Sequence, residues 1–185
     1  FYNNTTNDQY IYANNTCTFY NLIAKGSSSH DLRLGGDISV TNNLDLISRK
    51  INLDGYIINL GSTGQLNNED NGQYIYDPNF GNGYITSTGN INSSSITDLG
   101  NLGFEITTHG SSMGTTVIKR YWKSVDIGGG LYSVIRVFDV TPTNNSSLNT
   151  DLKFKYFNDM LGTVIDPSTL KLYYSNNSGS TWINE

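Results

Sequence analysis

Several common routes to stability and catalysis are closed to this sequence. It has one cysteine, Cys17, so no disulfide can form within the chain. A secreted eukaryotic domain of this size would often carry bridges, which leaves an intracellular protein or an exported bacterial one. Charged residues make up 15%, against roughly 25% in average globular chains. Solubility must therefore come from Asn, Ser, Thr and Gly, a composition that favours the exported bacterial protein. The net charge of −5 supplies no basic patch to displace counterions, which argues against nucleic acid and against an anionic membrane surface. No run of about 18 apolar residues exists, so membrane insertion is not expected. His30 and His109 are the two histidines, and neither stands in a metal-ligand spacing with another His or Cys. Glutamate occurs only at Glu69, Glu105 and Glu185, and no acid pair sits in a recognisable hydrolase setting. The glycines at 128–130 are followed by neither a helix nor a lysine, so they make a turn rather than a phosphate loop. These absences lead us to expect a protein that is not an enzyme and carries no cofactor.

What is present is β-structure with polar corners. Aromatics reach 12%, 13 of them tyrosine, and 19 residues are glycine. Residues 37–66 read DISVTNNLDLISRKINLDGYIINLGSTGQL, and large aliphatics recur at Val40, Leu46, Leu53, Leu60 and Leu66, in steps of 6, 7, 7 and 6. The intervening Thr, Asn, Asp and Gly exclude a second apolar stripe, so no amphipathic helix fits. Short strands at a short period predict a β-solenoid, here with one rung per step and the aliphatics in a single column. Upstream, CTFYNLIAKG (17–26) reads as a strand with Phe19 and Leu22 or Ile23 inward, and Tyr10–Tyr12 as a first short strand. Beyond Leu66 the spacing loosens through QYIYDP, NFGNG and GYITSTG.

Past residue 100 the strands lengthen and alternate: FEITT (104–108), TTVIKRYWKSV (115–125), LYSVIRVFDV (131–140), DLKFKYF (151–157) and LKLYYS (170–175). Turns every ten to fifteen residues indicate an antiparallel β-sandwich. The predicted fold is thus all-β, a short β-solenoid over residues 1–100 followed by a sandwich over 101–185. DPSTL (166–170) alone suits a helical turn, with Asp166 as cap and Pro167 at the first position. The polar start at Phe1 and the end in TWINE, inside an expected strand, read as a piece of a longer polypeptide.

Two places invite a site. NNEDNG (67–72) bunches oxygen ligands, with Glu69 and Asp70 as candidate calcium ligands, although these residue types serve turns equally and the EF-hand spacing is missing. KRYWK (119–123) combines cations with rings: alternation puts Arg120 with Trp122 on one face and Tyr121 with Lys119 and Lys123 on the other. A structural strand is the bland reading. The functional one is a glycan platform of Trp122, Tyr121 and Arg120, with Tyr173, Tyr174 and Trp182 forming a similar surface near the C-terminus.

The order of segments from about residue 19 onward resembles modules of large cell-surface and secreted proteins of Bacteroidetes. The likeness runs through FYNLIAKG, the aliphatic repeats, GNGYITSTGNI, DLGNLGFEITTHG and VIKRYWKSV, and closes on LKLYYSNNSGSTW. It implies an adhesin-like module exported by the type IX secretion system, located outside the cell, with no catalytic residues. Its expected partners are other domains of the same polypeptide, surface glycans or neighbouring copies. A carbohydrate-binding module attached to a secreted polysaccharide-acting enzyme is the alternative, and a small polysaccharide-acting enzyme a third.

Overall fold

A computed structural model describes residues 7–15, 17–26, 29–79, 82–162 and 166–184. Ser27 and Ser28 of one expected loop, Phe80 and Gly81 of another, and Glu185 lie outside them. The chain is all-β. Among the described residues the helical elements are single 3-10 turns at Leu99–Asn101, Asn158–Met160 and Pro167–Thr169. In the last of these Asp166 accepts a 2.9 Å hydrogen bond from the Ser168 amide, the capped turn that DPSTL predicts.

The first half alternates between two parallel sheets. β1 (Gln9–Ile11), β3 (Leu32–Leu34), β5 (Ile51–Asn52) and β8 (Ile75–Tyr76) pair in that order in one. β2 (Cys17–Lys25), β4 (Ile38–Ile47), β6 (Ile57–Asn59), β7 (Gln65–Asn67) and β9 (Tyr84–Ile91) belong to the other, where the ten-residue β4 covers both β6 and β7. The registers place Leu32 beside Ile51 and Ile51 beside Ile75 in the first sheet. In the second, Leu22 lies beside Leu44 and Leu44 beside Leu66, while Ile38 lies beside Ile58 and Ile58 beside Ile85. Buried aliphatics therefore stack at intervals of roughly twenty residues, one circuit of the chain through both sheets.

This corrects the single column expected from the six- and seven-residue steps. Val40, Leu46, Leu53, Leu60 and Leu66 are all buried in one core. They succeed one another around the interior and do not form one column. Val40 pairs with Phe19, Leu46 with Ala24 and Leu66 with Leu44. The physical reason is closure. Val40 and Leu46 lie within β4 itself, and Leu53, Leu60 and Leu66 follow at or just after β5, β6 and β7, so the chain takes several such steps before it returns to hydrogen-bond with itself.

The polar residues between the aliphatics hold the outside of this coil. The Asn42 side-chain amide donates to Asn21 Oδ1 at 2.9 Å, and that of Asn67 to Asn43 Oδ1 at 3.2 Å. These asparagine contacts join successive strands laterally. Arg49 is buried and links three segments, donating to Gln9 Oε1 (2.7 Å), the Asp31 carbonyl (2.9 Å) and the Lys25 carbonyl (3.5 Å). Between β6 and β7 the chain bulges at Leu60–Gly64. A Cβ on Gly64 would lie 2.2 Å from the Val40 carbonyl oxygen and 2.6 Å from that of Leu60, so only glycine fits there.

After β9 the pairing becomes antiparallel. β10 (Ile96–Thr97) and β11 (Phe104–Thr108) pair in a separate sheet, and β12 (Gly114–Tyr121) adds to β9. β13 (Asp126–Gly128) and β14 (Leu131–Tyr132) form a hairpin. β15 (Val137–Pro142) then adds to β12, and β16 (Thr150–Phe154) to β11. β17 (Tyr173–Tyr174) and β18 (Ile183–Asn184) make a last hairpin. Phe104 and Phe154 of the β10–β11–β16 sheet meet Phe138 of β15, with centroids 4.7–5.5 Å apart. The seven-stranded sheet runs from β2 to β15 across the boundary expected near residue 100. One core cluster likewise extends from Ile11 to Ile118.

The strand expected over 131–140 is broken. Ile135 donates its amide to the Met160 carbonyl at 2.8 Å, and Arg136 turns inward, which takes Ser133–Arg136 out of the ladder. The strand expected over 115–125 ends at Tyr121, where Trp122 leaves the sheet.

Candidate functional site

β12 alternates as its sequence implies, with Thr116, Ile118 and Arg120 buried and the intervening residues half-buried or exposed. Arg120 thereby points inward, into the path of the chain after β7. It meets Glu69 in a bidentate pair, Nη1 to Oε2 at 2.8 Å and Nη2 to Oε1 at 2.7 Å, and also donates to the Leu102 carbonyl at 2.9 Å. Arg136 approaches the same carboxylate, Nη2 to Oε2 at 3.1 Å, and donates through Nη1 to the Lys155 carbonyl at 2.6 Å. The Ile75 amide adds a 3.2 Å bond to Glu69 Oε1. One buried carboxylate thus serves two buried guanidiniums, one from β12 and one from the segment before β15.

The electrostatics follow from that count. Burial pushes the Glu69 carboxyl up, but Arg120 and Arg136 outweigh it and hold the group below the usual carboxylate range. Arg136 goes the other way. Burial and repulsion by Arg120 bring it down to about 10, against the opposing pull of Glu69. Glu69 and Asp70, expected side by side as oxygen ligands, diverge. Asp70 is exposed, accepts from the Asn71 amide at 2.7 Å and pairs its backbone with Gln73. A cation at Glu69 would lie against two guanidiniums.

Trp122 and Arg120 do not combine into a platform. Arg120 is committed to Glu69, and Trp122 stacks on Tyr74 at 4.7 Å and 8°, edge-on to Tyr76 at 6.0 Å. Tyr74 is buried with Phe157 and Met160, and Lys50 Nζ lies 4.6 Å from its centroid. The Tyr76 hydroxyl donates to Asp31. Trp122 packs the end of β12 against this cluster. Tyr121 faces outward beside Tyr84 (5.2 Å), with Lys123 Nζ 4.6 Å from the Tyr121 centroid and Lys119 Nζ 5.2 Å from that of Tyr84. Tyr174 is exposed on the terminal hairpin, and the half-buried Trp182 stands just before β18, in a unit that shares no sheet with β12.

Two adjoining open depressions, each about 320 Å³, flank β11 and β16 and share Asp98, Gly103, Glu105 and Lys155. Their acids are engaged. Asp98 accepts from the Gly103 amide at 3.1 Å, and burial pushes its carboxyl up. Glu105 pairs with Lys153 at 3.0 Å. Each histidine stands beside an aspartate, His109 2.7 Å from Asp151 and His30 3.9 Å from Asp8.

Among the described residues the most exposed stacked aromatic pair, Tyr10 and Tyr12, was not among those expected at a site. Tyr10 and Tyr12 stack at 5.5 Å and 11° beside Arg33 and Asp54. The alternating tyrosines were visible signals. Their charged neighbours lie one and two circuits further on and become neighbours only through the parallel register. No family model, curated protein or solved structure matches the chain.

Proposed function

We propose that the chain is a non-catalytic structural and adhesive module of a longer bacterial surface or secreted protein. In this reading the parallel half is a short β-solenoid and the antiparallel half a β-sandwich. The two are fused into a stiff body that holds polar faces and aromatic rims away from the cell. The observation that supports it best is the Glu69–Arg120–Arg136 cluster. Glu69 and Arg120, which stood out as candidate chemistry, are committed to each other and to Arg136, and they tie the coil to β12 and the segment before β15. The continuous sheet supports it in the same way. Display needs a body that transmits load as one unit.

Equilibrium urea unfolding followed by Trp fluorescence and far-UV circular dichroism tests this. Coincident single transitions are expected. Separate transitions for the two halves would contradict the fused scaffold. The full-length reading frame tests the context, with tandem copies or a C-terminal sorting domain expected. A flanking hydrolase domain would favour the second reading, an attached carbohydrate-binding module, for which the exposed Tyr10–Tyr12 pair is the specific observation.

A further inference from the structure

We propose that Tyr10, Tyr12, Arg33 and Asp54 form a binding platform for a neutral polysaccharide on the outer face of the four-stranded parallel sheet. The inference rests on the proposed function, in its adhesive or its carbohydrate-binding form, and names the ligand class.

The site is built from alternation and register. Ile11 is buried in the core, so its neighbours Tyr10 and Tyr12 both face outward. Tyr12 is 76% exposed and Tyr10 44%, the former among the most exposed large side chains described. A ring that open would normally sample several rotamers. Here Gly35 lies opposite: a Cβ on it would come within 2.6 Å of Tyr12 Cδ1, so the ring occupies the space a side chain would fill. One part of Tyr12 is seated on backbone and on Tyr10, and the rest faces water. Preorganisation of this kind lowers the ordering cost of binding.

The polar half of the platform is equally fixed. β3 pairs Arg33 beside Tyr10, with the guanidinium carbon 5.5 Å from the Tyr10 centroid. Asp54 accepts from Arg33 Nε at 2.8 Å and Nη2 at 2.7 Å, and Asp8 lies 3.5 Å from Nη1. With strands about 4.8 Å apart, Tyr10 and Arg33 stand side by side, and the Asp54 carboxylate extends the polar edge past the buried Asn52.

The chemistry selects the occupant. The open face of Tyr12, backed by Tyr10, receives the C–H face of a pyranose, and a rigid Arg–Asp pair exchanges its water for sugar hydroxyls. A lipid or an apolar protein surface would strip water from Asp8, Arg33 and Asp54 without returning hydrogen bonds. Asp8 and Asp54 both stand against Arg33 at the platform, on a chain of net charge −5, so uronates and sulfated glycans are disfavoured.

A glycan array carrying neutral glucans, mannans, xylans and galactans beside polygalacturonate and heparin tests the proposal, followed by titration calorimetry on any hit. We expect binding to at least one neutral glycan and none to the anionic polymers. Tyr12→Ala should weaken it at least tenfold with an unchanged circular dichroism spectrum. Gly35→Ala, which keeps both tyrosines but displaces the Tyr12 ring, should do the same. Tyr132→Ala, an exposed tyrosine on β14, should not. Silence on every neutral glycan, binding to the anionic polymers alone, or full affinity in both Tyr12→Ala and Gly35→Ala would overturn it. None of those results touches the unfolding test above, so the platform can fail while the scaffold stands.

Discussion

The coil of residues 9–91 and the antiparallel region of 104–184 are held together differently. In the coil, short strands carry buried aliphatics that meet like residues one circuit away, as in Leu22–Leu44–Leu66. In the antiparallel region many strand residues are exposed, β14 and most of β16 among them, and few positions are fully buried. Beyond the β9–β12 ladder and the core contacts of Ile106, Met113 and Ile118, that region is fixed by a small number of anchors: the Phe104–Phe138–Phe154 trio, the Tyr74–Trp122 stack and the two arginines on Glu69. A distributed core tolerates local loss, whereas an anchored one concentrates its dependence in a few residues.

The sharpest way to break that contrast is Glu69→Ala, which strands two buried guanidiniums and should cost about 3–5 kcal/mol. The loss should uncouple the antiparallel region first, read as a second transition in urea. The same pair fixes the pH dependence. The folded-state pKa of Glu69 lies below its unfolded value, so its contribution is fully present well above the ordinary carboxylate pKa of about 4.3. It is lost as pH falls through that value and on through the lower folded pKa. Glu69→Gln should flatten the acid limb of the stability profile. Next comes Leu44→Ala, at the centre of a stacked column, with an expected cost of about 2–5 kcal/mol by thermal or urea unfolding. Leu152→Ala, half-exposed on β16, should cost well under half as much, and equal costs would erase the distinction between the regions. Smallest is Lys153→Ala. Its pair with Glu105 is exposed, and its removal should change stability by less than about 1 kcal/mol.

How much of this was legible in the sequence depended on range. Alternation along one strand was readable: it placed Arg120 on the opposite face from Lys119 and Tyr121 and gave FEITT its bounds. The DPSTL turn was readable because cap and proline are adjacent. The aliphatic steps of 37–66 correctly marked buried positions, yet their period was that of the sides and not of the circuit. Pairing distance lies in hydrogen bonds between residues twenty or more apart, which a step of seven does not encode. Glu69 illustrates the same limit. Among Asn67, Asn68, Asp70 and Asn71 it looked like one more oxygen ligand, and only the arrival of residues 120 and 136 makes it a buried counter-ion. Trp122 looked free to bind because Tyr74, its partner, lies 48 positions earlier.

The central claim is the register of the coil, and cross-strand amide-to-Hα nuclear Overhauser contacts read it directly. We expect contacts linking Leu22 with Leu44 and Leu44 with Leu66, and linking Ile38 with Ile58. Contacts joining Val40 to Leu46 and Leu46 to Leu53 as stacked neighbours would contradict the circuit of roughly twenty residues, and with it the placement of Tyr10 beside Arg33.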